Sequence, residues 1–577
     1  MKRALYLVVA VIMLLSLGVG CGTATDTAKE ATPAQETTTT APAQQDETQE
    51  ETQEVLEPIT FTMYSVETDA YPDTDFASPV AKKITEATGV TLKIENAISS
   101  DAGKQKLSLM AASGDYPDLV YGKGDLNILK NVNAIIKMDD LIEKYGPNIK
   151  KFYGENDIKR LRWSLDDPSI YYIGGKEVGQ ENMEPNAGFQ LQLGAVKELG
   201  FPKLRTLQDF ENAIKTYYEK HPTTADGQKT IPLSLLADDW RFLITVSNPA
   251  NFATGNSDDG EWYVDPATLN CVRHLTRPEV KEYFRWLNHM NNINLLDNES
   301  FVQKYDQYKA KIATGRVIAL ADARWEIDEA VTALKKDGKY ESAYGYFPIT
   351  VDESVKFADF QSTGYLGGWG LAITTNCKDP ERAIKFFDWM CTEEAQILTH
   401  WGIEGEHYTI ENGKRVLKPE IIAMRDSDPA WQQTTGIKKY MYPFPTYGNA
   451  VKDSTGQYFE AFDTLDAIIA RQSDIENEVL AAYGVRGWKE LYPQSSDFPV
   501  KSYGAAWLVN IDDPEWKAAD DKILKTGYRM IPATILAKPT EFDQKWEEYQ
   551  KALKDAGLDE VSATFSKALQ DRSQLWK

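Results

Sequence analysis

Residues 364–408 read GYLGGWGLAITTNCKDPERAIKFFDWMCTEEAQILTHWGIEGEHY, and this stretch decides how the rest of the chain is read. A glycine and aromatic cluster comes first: Gly364, Tyr365, Gly367, Gly368, Trp369 and Gly370. The short apolar run Leu371-Ala372-Ile373-Thr374 suits a strand. Asp379 as N-cap and Pro380 in the first turn then predict a helix start. Ile384, Phe387 and Cys391 recur at helical spacing. Thr392 can cap a second helix that Gly402 ends. Periodicity alone reads this as strand, turn and helix in an α/β core.

Working outward, a chain of 577 residues is too long for one core, so two or more lobes are expected. A content of 42% hydrophobic and 26% charged residues is that of a soluble globular protein. The net charge of −24 argues against nucleic-acid binding, because phosphates need a basic surface. The first twenty residues read as a secretion signal: Lys2 and Arg3, then a mostly apolar run over 5–17 that is too short for a comfortable membrane span. The signal ends at Gly18-Val19-Gly20-Cys21. Val19 and Gly20 before Cys21 resemble a bacterial lipobox, with Gly18 where Leu is usual. That resemblance implies that Cys21 is lipidated and becomes the new N-terminus, and its acyl chains together suffice for stable anchoring. The alternative is a plain secretory signal with an incidental cysteine. Residues 22–57 are Thr, Ala, Gln, Glu and Pro with almost nothing apolar, which predicts a disordered, acidic tether.

From Pro58 the chain alternates. Residues 59–64 read as a strand, 79–88 as a helix opened by Ser78 and stopped by Gly89, and 90–94 as a strand. Residues 104–113 read as a helix stopped by Gly114, and 119–121 as a third strand. This βαβαβ order predicts a parallel sheet with ligand chemistry at the carboxyl ends of its strands. Thr206 caps a helix whose buried stripe is Phe210, Ala213, Ile214 and Tyr217. Residues 278–295 form a helix whose Tyr283, Trp286, Leu287 and Met290 read as core. A long helical region is expected over about 457–485, and another helix starts near Pro539.

The order GLAITTNCKDPERAIKFFDWM then GIEGEHY resembles the extracellular solute-binding proteins of ABC importers, in the large lipoprotein branch linked to oligosaccharide uptake. LMAASGDYPDLVYG, with IKMDDLI and YGPN beyond it, continues the pattern. The resemblance covers about 58–577. It implies a periplasmic-binding-protein-like type II fold, α/β, with two lobes, interlobe crossovers and a ligand cleft. Lobe 1 is expected over 58–180 plus 366–470, and lobe 2 over 181–365 plus 471–577. It also implies a monomeric, non-enzymatic receptor on the extracytoplasmic face of a bacterium, expected to be Gram-positive, that serves an ABC permease.

The same resemblance nominates ligand-binding residues. The loop after ASGDYPD faces the cleft, which brings in Tyr64, Gly122, Lys123 and Asp125, each otherwise a solvated loop residue. Trp240 stands where such proteins often place a cleft aromatic. KAKIATGRVIALADARWE ends on Trp325, the position that commonly stacks on a sugar ring, with Asp322 as a hydroxyl acceptor. Residues 364–370 become the return crossover and hinge, with Trp369 and Tyr365 at the cleft mouth. Many relatives carry an acidic calcium loop where this chain has TTADGQKTIPLSLL at 223–236. A hard cation needs several oxygen ligands in one loop, so no metal is assigned, and no cofactor is implied.

The chain carries no HExxH, GxSxG, P-loop or GxGxxG. The five histidines share no ligand spacing, and His407 reads as a structural hydrogen-bonder. Cys377 and Cys391 flank one helix and should lie roughly 20 Å apart, beyond disulfide reach. The 14 Trp and 29 Tyr suit carbohydrate, whose ring faces pack on flat aromatics while polar groups bond the hydroxyls. Two other readings stay open on residues alone. One is a peptide-binding ABC receptor. The other is a secreted glycoside hydrolase, which needs two carboxyls roughly 5–10 Å apart.

Overall fold

The computed structural model describes residues 57–67, 75–174, 178–367, 369–428 and 430–577. The secretion signal, Cys21, all but the last residue of the tether, and Gly368 lie outside the described residues.

Twelve strands among the described residues form two four-stranded sheets and two hairpins. They are β1 (Ile59–Ser65), β2 (Val90–Asn96), β3 (Leu119–Tyr121), β4 (Ala187–Gln192), β5 (Ile231–Ser234), β6 (Trp262–Val264), β7 (Cys271–Arg273), β8 (Val317–Ala323), β9 (Tyr344–Phe347), β10 (Leu371–Ile373), β11 (Tyr408–Glu411) and β12 (Lys414–Leu417). In the first sheet β1 runs parallel to β2 and to β3, with Met63 opposite both Ile94 and Leu119. β10 returns from far along the chain and pairs antiparallel with β3 through Ala372 and Val120. The order is therefore β10-β3-β1-β2. The second sheet has the order β5-β8-β4-β9, with β5 parallel to β8 and β4 antiparallel to both β8 and β9.

Local chemistry sets the helices between these strands. Ser78 accepts the Ala81 N–H and opens Pro79–Thr88, which Gly89 closes at φ +68°. Thr206 and Asp209 cap Leu207–Lys220 reciprocally. Asp379 accepts the Arg382 N–H at the head of Pro380–Met390, and Thr392 accepts the Ala395 N–H at the head of Glu393–Trp401. Pro79–Thr88 packs on β2 and Leu207–Lys220 on β5 and β8, while Glu393–Trp401 packs on Pro79–Thr88 and Pro380–Met390. The result is two large cores, one from residues within 61–178 and 365–462, the other from residues within 187–360 and 475–569. The chain thus passes three times from one core to the other. Tyr283, Trp286, Leu287 and Met290 sit in the second core, on Pro278–Asn292, against Trp546 and its neighbours near the end of the chain.

The third passage departs from the expected long helix over 457–485. The structure has only Leu465–Ile469 and Asp474–Ala482 there. Thr464 accepts the Ala467 N–H and Ser473 accepts the Glu476 N–H, so two separate N-caps start two short helices. Over this stretch the chain leaves the first core at Phe462 and joins the second at Ile475, which a straight helix would not do. Cys271, Cys377 and Cys391 are all unpaired and buried. Among the described residues no helix is long and apolar enough to cross a membrane.

Candidate functional site

A cavity of about 700 Å³ opens along the first and second passages. Asp157 and Ala450 reach it from the first lobe, and Asn186, Ser257 and Asp258 from the second. The passages themselves contribute residues 179–182 and 359–366, and Trp507 closes one side.

Its polar groups are held from behind. The Asn186 N–H donates to Asp359 Oδ2 at 2.9 Å, and the Gly260 N–H donates to Asp258 Oδ1 at 2.8 Å. Ser257 Oγ donates to Gln361 Oε1 at 2.9 Å, and Gln361 Nε2 donates to the Pro499 carbonyl at 3.0 Å. Burial pushes the Asp359 carboxyl up to about 7, with a further push from Asp258. Burial likewise raises Asp258 and Asp157. Four carboxylates line the cavity, Asp157, Glu181, Asp258 and Asp359, against one cation, Lys489, which lies 3.5 Å from Glu181. Phe360, Tyr365 and Trp507 add aromatic surface. Acceptor-rich walls with a few flat apolar faces suit a solute rich in hydroxyls.

The glycines of the second passage are placed by close approach. Arg160 Nη1 donates to the Thr363 carbonyl at 2.8 Å and to that of Tyr365, which ties the passage to the first lobe. Gly364 and Gly367 hold φ of +66° and +62°. A Cβ on Gly367 would stand 2.4 Å from the Arg160 carbonyl oxygen. Only glycine combines that backbone with that approach.

Trp240 and Trp325 come together. They are 50% and 47% exposed, their ring centres are 6.0 Å apart, and their planes differ by 12°. Trp325 rides the first turn of the helix that follows β8, and Trp240 follows β5 by a short loop. Arg241 lies 4.8 Å from the Trp240 ring centre and donates to Glu326 at 3.1 Å. The pair stands outside the 700 Å³ cavity. Tyr365 lines that cavity but is only 5% exposed, with its hydroxyl donating to the Gly174 carbonyl. Trp369 is half-buried and packs on Trp507 with ring centres 5.2 Å apart. Lys123 lies 5.4 Å over Trp369 and pairs with Glu67. Asp125 pairs with Lys104 at 3.5 Å.

Two nominated residues are placed differently from the expectation. Asp322 is fully enclosed, and both its oxygens are used, one by the Tyr308 hydroxyl at 2.6 Å and one by the Ala323 N–H at 2.7 Å. Burial pushes its carboxyl up to about 8. Every residue of β8 is buried, because both faces of that strand are covered, so no position along it opens to solvent. Tyr64 is 2% exposed, in a central strand, with Lys106 across its ring at 4.9 Å. In return the structure supplies Asp157, Asp258, Asp359 and Trp507, which the sequence reading did not single out. Only Asp359 had a signal, its place directly before Phe360 and Gln361 on the return to the first lobe. His407 accepts the Ile403 N–H at 2.9 Å and so closes the turn after Gly402.

The family of bacterial extracellular solute-binding proteins matches over residues 72–397. Among curated relatives, the fructooligosaccharide ABC transporter substrate-binding protein FusA of Streptococcus pneumoniae is 24% identical over 344 residues, 57% of this chain and 60% of the relative. Lipoprotein LipO of Bacillus subtilis is 20% identical over 352 residues, 58% of this chain and 65% of the relative. The matched part spans less than two thirds of either relative. Among solved structures, an extracellular solute-binding protein from Bifidobacterium longum subsp. infantis superposes with a TM-score of 0.66 at 17% identity, over 90% of this chain and 99% of that one. FusA in complex with kestose superposes at 0.59 with 18% identity, over 89% and 99%. Alginate-binding protein AlgQ2 superposes at 0.58 with 20% identity, over 89% and 98%. The fold is the two-lobed, type II periplasmic-binding-like α/β fold that the sequence resemblance implied.

Proposed function

The chain belongs to the bacterial extracellular solute-binding proteins, and on that premise we propose that it captures an oligosaccharide between its lobes and delivers it to an ABC importer. The cavity along the first two passages carries the reading: it pairs carboxylates, amides and hydroxyls with aromatic faces, and is large enough for several sugar units. Asp258, Asp359, Gln361 and Trp507 bond and cover the solute there. Tyr365 and Trp369 shape the mouth of the cleft, and Trp240 with Trp325 offers a second stacking surface on the far lobe. Three passages between lobes allow closure by small backbone rotations, so the lobes shut on the solute and present it to the permease. The protein works as a monomer without a cofactor. Lipidation at Cys21 holds it on the outer face of the membrane of a Gram-positive bacterium, and the acidic tether keeps the body clear of that surface.

A thermal-shift screen of glycans and short peptides tests the reading. An oligosaccharide at a hundred times its Kd should stabilise the folded protein by about 2.7 kcal/mol and come back from the incubation unchanged. Stabilisation by peptides alone would favour a peptide receptor, and cleavage of the glycan a hydrolase. In a lipoprotein-processing host, Cys21→Ser should move the protein from the membrane fraction to the medium.

A further inference from the structure

Beside the carboxylate-lined cavity lies a second groove of about 350 Å³, lined by Lys123 and three arginines against three aspartates. It runs between the loop after β3 and residues 160–166 of the first lobe on one side, and the helix Leu558–Leu575 of the second lobe on the other. Three indoles line it, Trp163, Trp369 and Trp576, with three guanidinium groups, Arg160, Arg162 and Arg572.

The arginines give their hydrogen bonds to backbone carbonyls. Arg160 donates to Thr363 at 2.8 Å, Arg162 to Pro168 at 3.0 Å, and Arg572 to Tyr503 at 2.7 Å and Ala505 at 2.6 Å. Among the described residues none of the three has a carboxylate within 4.0 Å, and Asp157 acts on Arg160 only from farther away. Arg160 and Arg572 share one indole, with their guanidinium carbons 4.7 and 4.9 Å from the Trp576 ring centre. Arg572 Nε is enclosed and has no hydrogen-bond partner. Burial brings Arg572 down to about 10, against the pull of Asp259 from beyond ion-pair distance.

The groove's own acids are engaged elsewhere. Asp571 pairs with Lys567 at 2.6 Å and Asp512 with Lys517 at 3.6 Å, while Asp166 is exposed. Tying the passages together accounts for Arg160 and for part of Arg572. It does not account for Arg162, which bonds only its own loop, or for the unused Nε. A guanidinium cluster with no carboxylate in ion-pair contact, in a chain of net charge −24, is placed for an anion, and its planar forks match a carboxylate. The two cavities adjoin: Leu366 lines both, and Trp507 of the first packs on Trp369 of the second.

We propose that this groove is an acidic-sugar subsite, in which the arginines hold the carboxylate of a uronic-acid residue while neutral residues of the same oligosaccharide fill the larger cavity. The inference rests on the carbohydrate reading above and names its substrate class. The indoles supply stacking faces for the charged ring, and the arginines keep their carbonyl bonds and give their remaining N–H donors to the carboxylate.

Calorimetric titration of the full chain tests this with matched probes: neutral oligosaccharides of three to six residues, each beside its counterpart oxidised at C6 of one residue to the uronic acid. In the pairs that bind, the acidic member should bind about tenfold or more tightly at low salt, and this preference should shrink as salt is raised. Arg162→Gln should bring the two members of a pair close together while leaving the apo melting temperature unchanged. Arg162→Lys, which keeps the charge but not the fork, should retain part of the preference. Equal or tighter binding of the neutral members overturns the proposal while the carbohydrate reading stands, as does a preference untouched in both variants. If no glycan of either set binds, the carbohydrate reading falls and the subsite with it.

Discussion

Replacing Gly367 by alanine tests whether the second passage is held as tightly as its geometry implies. At φ +62° an alanine pays about 1–2 kcal/mol for the left-handed backbone alone. Its Cβ would also stand 2.4 Å from the Arg160 carbonyl oxygen, a backbone atom that cannot swing aside as a side-chain tip can. Arg160 is itself fixed, because its guanidinium bonds the Thr363 carbonyl of the same passage. Forcing a methyl into such a contact adds about 1–3 kcal/mol, so Gly367→Ala should cost about 2–5 kcal/mol in urea unfolding. Two other glycines separate the terms. Gly114 has φ +75° but open space around a Cβ, so its alanine variant should lose only the backbone cost of about 1–2 kcal/mol. Gly124 has neither a positive φ nor a neighbour within 4 Å, and its variant should stay within about 0.5 kcal/mol of wild type. A Gly367→Ala variant that loses no more than the Gly114 variant would refute the close approach, and with it the view that Arg160 clamps the passage.

Two further outcomes follow from the site. Asp359 is raised to about 7 from an ordinary value of 3.8, so the folded protein holds a proton there that the unfolded chain has released. That contribution to stability is complete below about pH 4 and is lost as pH rises through 7. Asp359→Asn should therefore gain melting temperature relative to wild type at pH 8 and show a smaller difference at pH 4; a difference that does not change with pH would remove the carboxyl from the argument. At the other stacking surface, a sugar ring covering half of an exposed indole face hides on the order of 60 Å² of apolar surface, about 1.5 kcal/mol. Trp240→Ala and Trp325→Ala should each weaken glycan binding about tenfold by fluorescence titration, and unchanged affinity in both would show that the pair lies outside the ligand's reach.

The sequence by itself determined the pieces that local forces build. Ser78, Thr206, Asp379 and Thr392 each satisfy an N–H within three residues, so the helices they open were legible from one short window. Strands β1 to β3 and their intervening helices followed from periodicity, and the ordered motifs from 364 to 408 placed the chain in its two-lobed fold. The same reasoning failed over 457–485, where apolar content looked helical but the chain was crossing between cores. What only the tertiary structure decided is which distant residues meet. Trp240 and Trp325 were nominated singly, and the second sheet stacks them. Asp157, Asp258 and Asp359 come from separate segments and share a cavity only because the first two passages bring both lobes to it. Asp322 closes an apolar run and Tyr64 stands in an alternating strand, and only packing by distant segments encloses them. A cap or a periodic stripe acts over one or two turns of chain, whereas burial and the charge of a cleft are set by partners far away in sequence, which no short window contains.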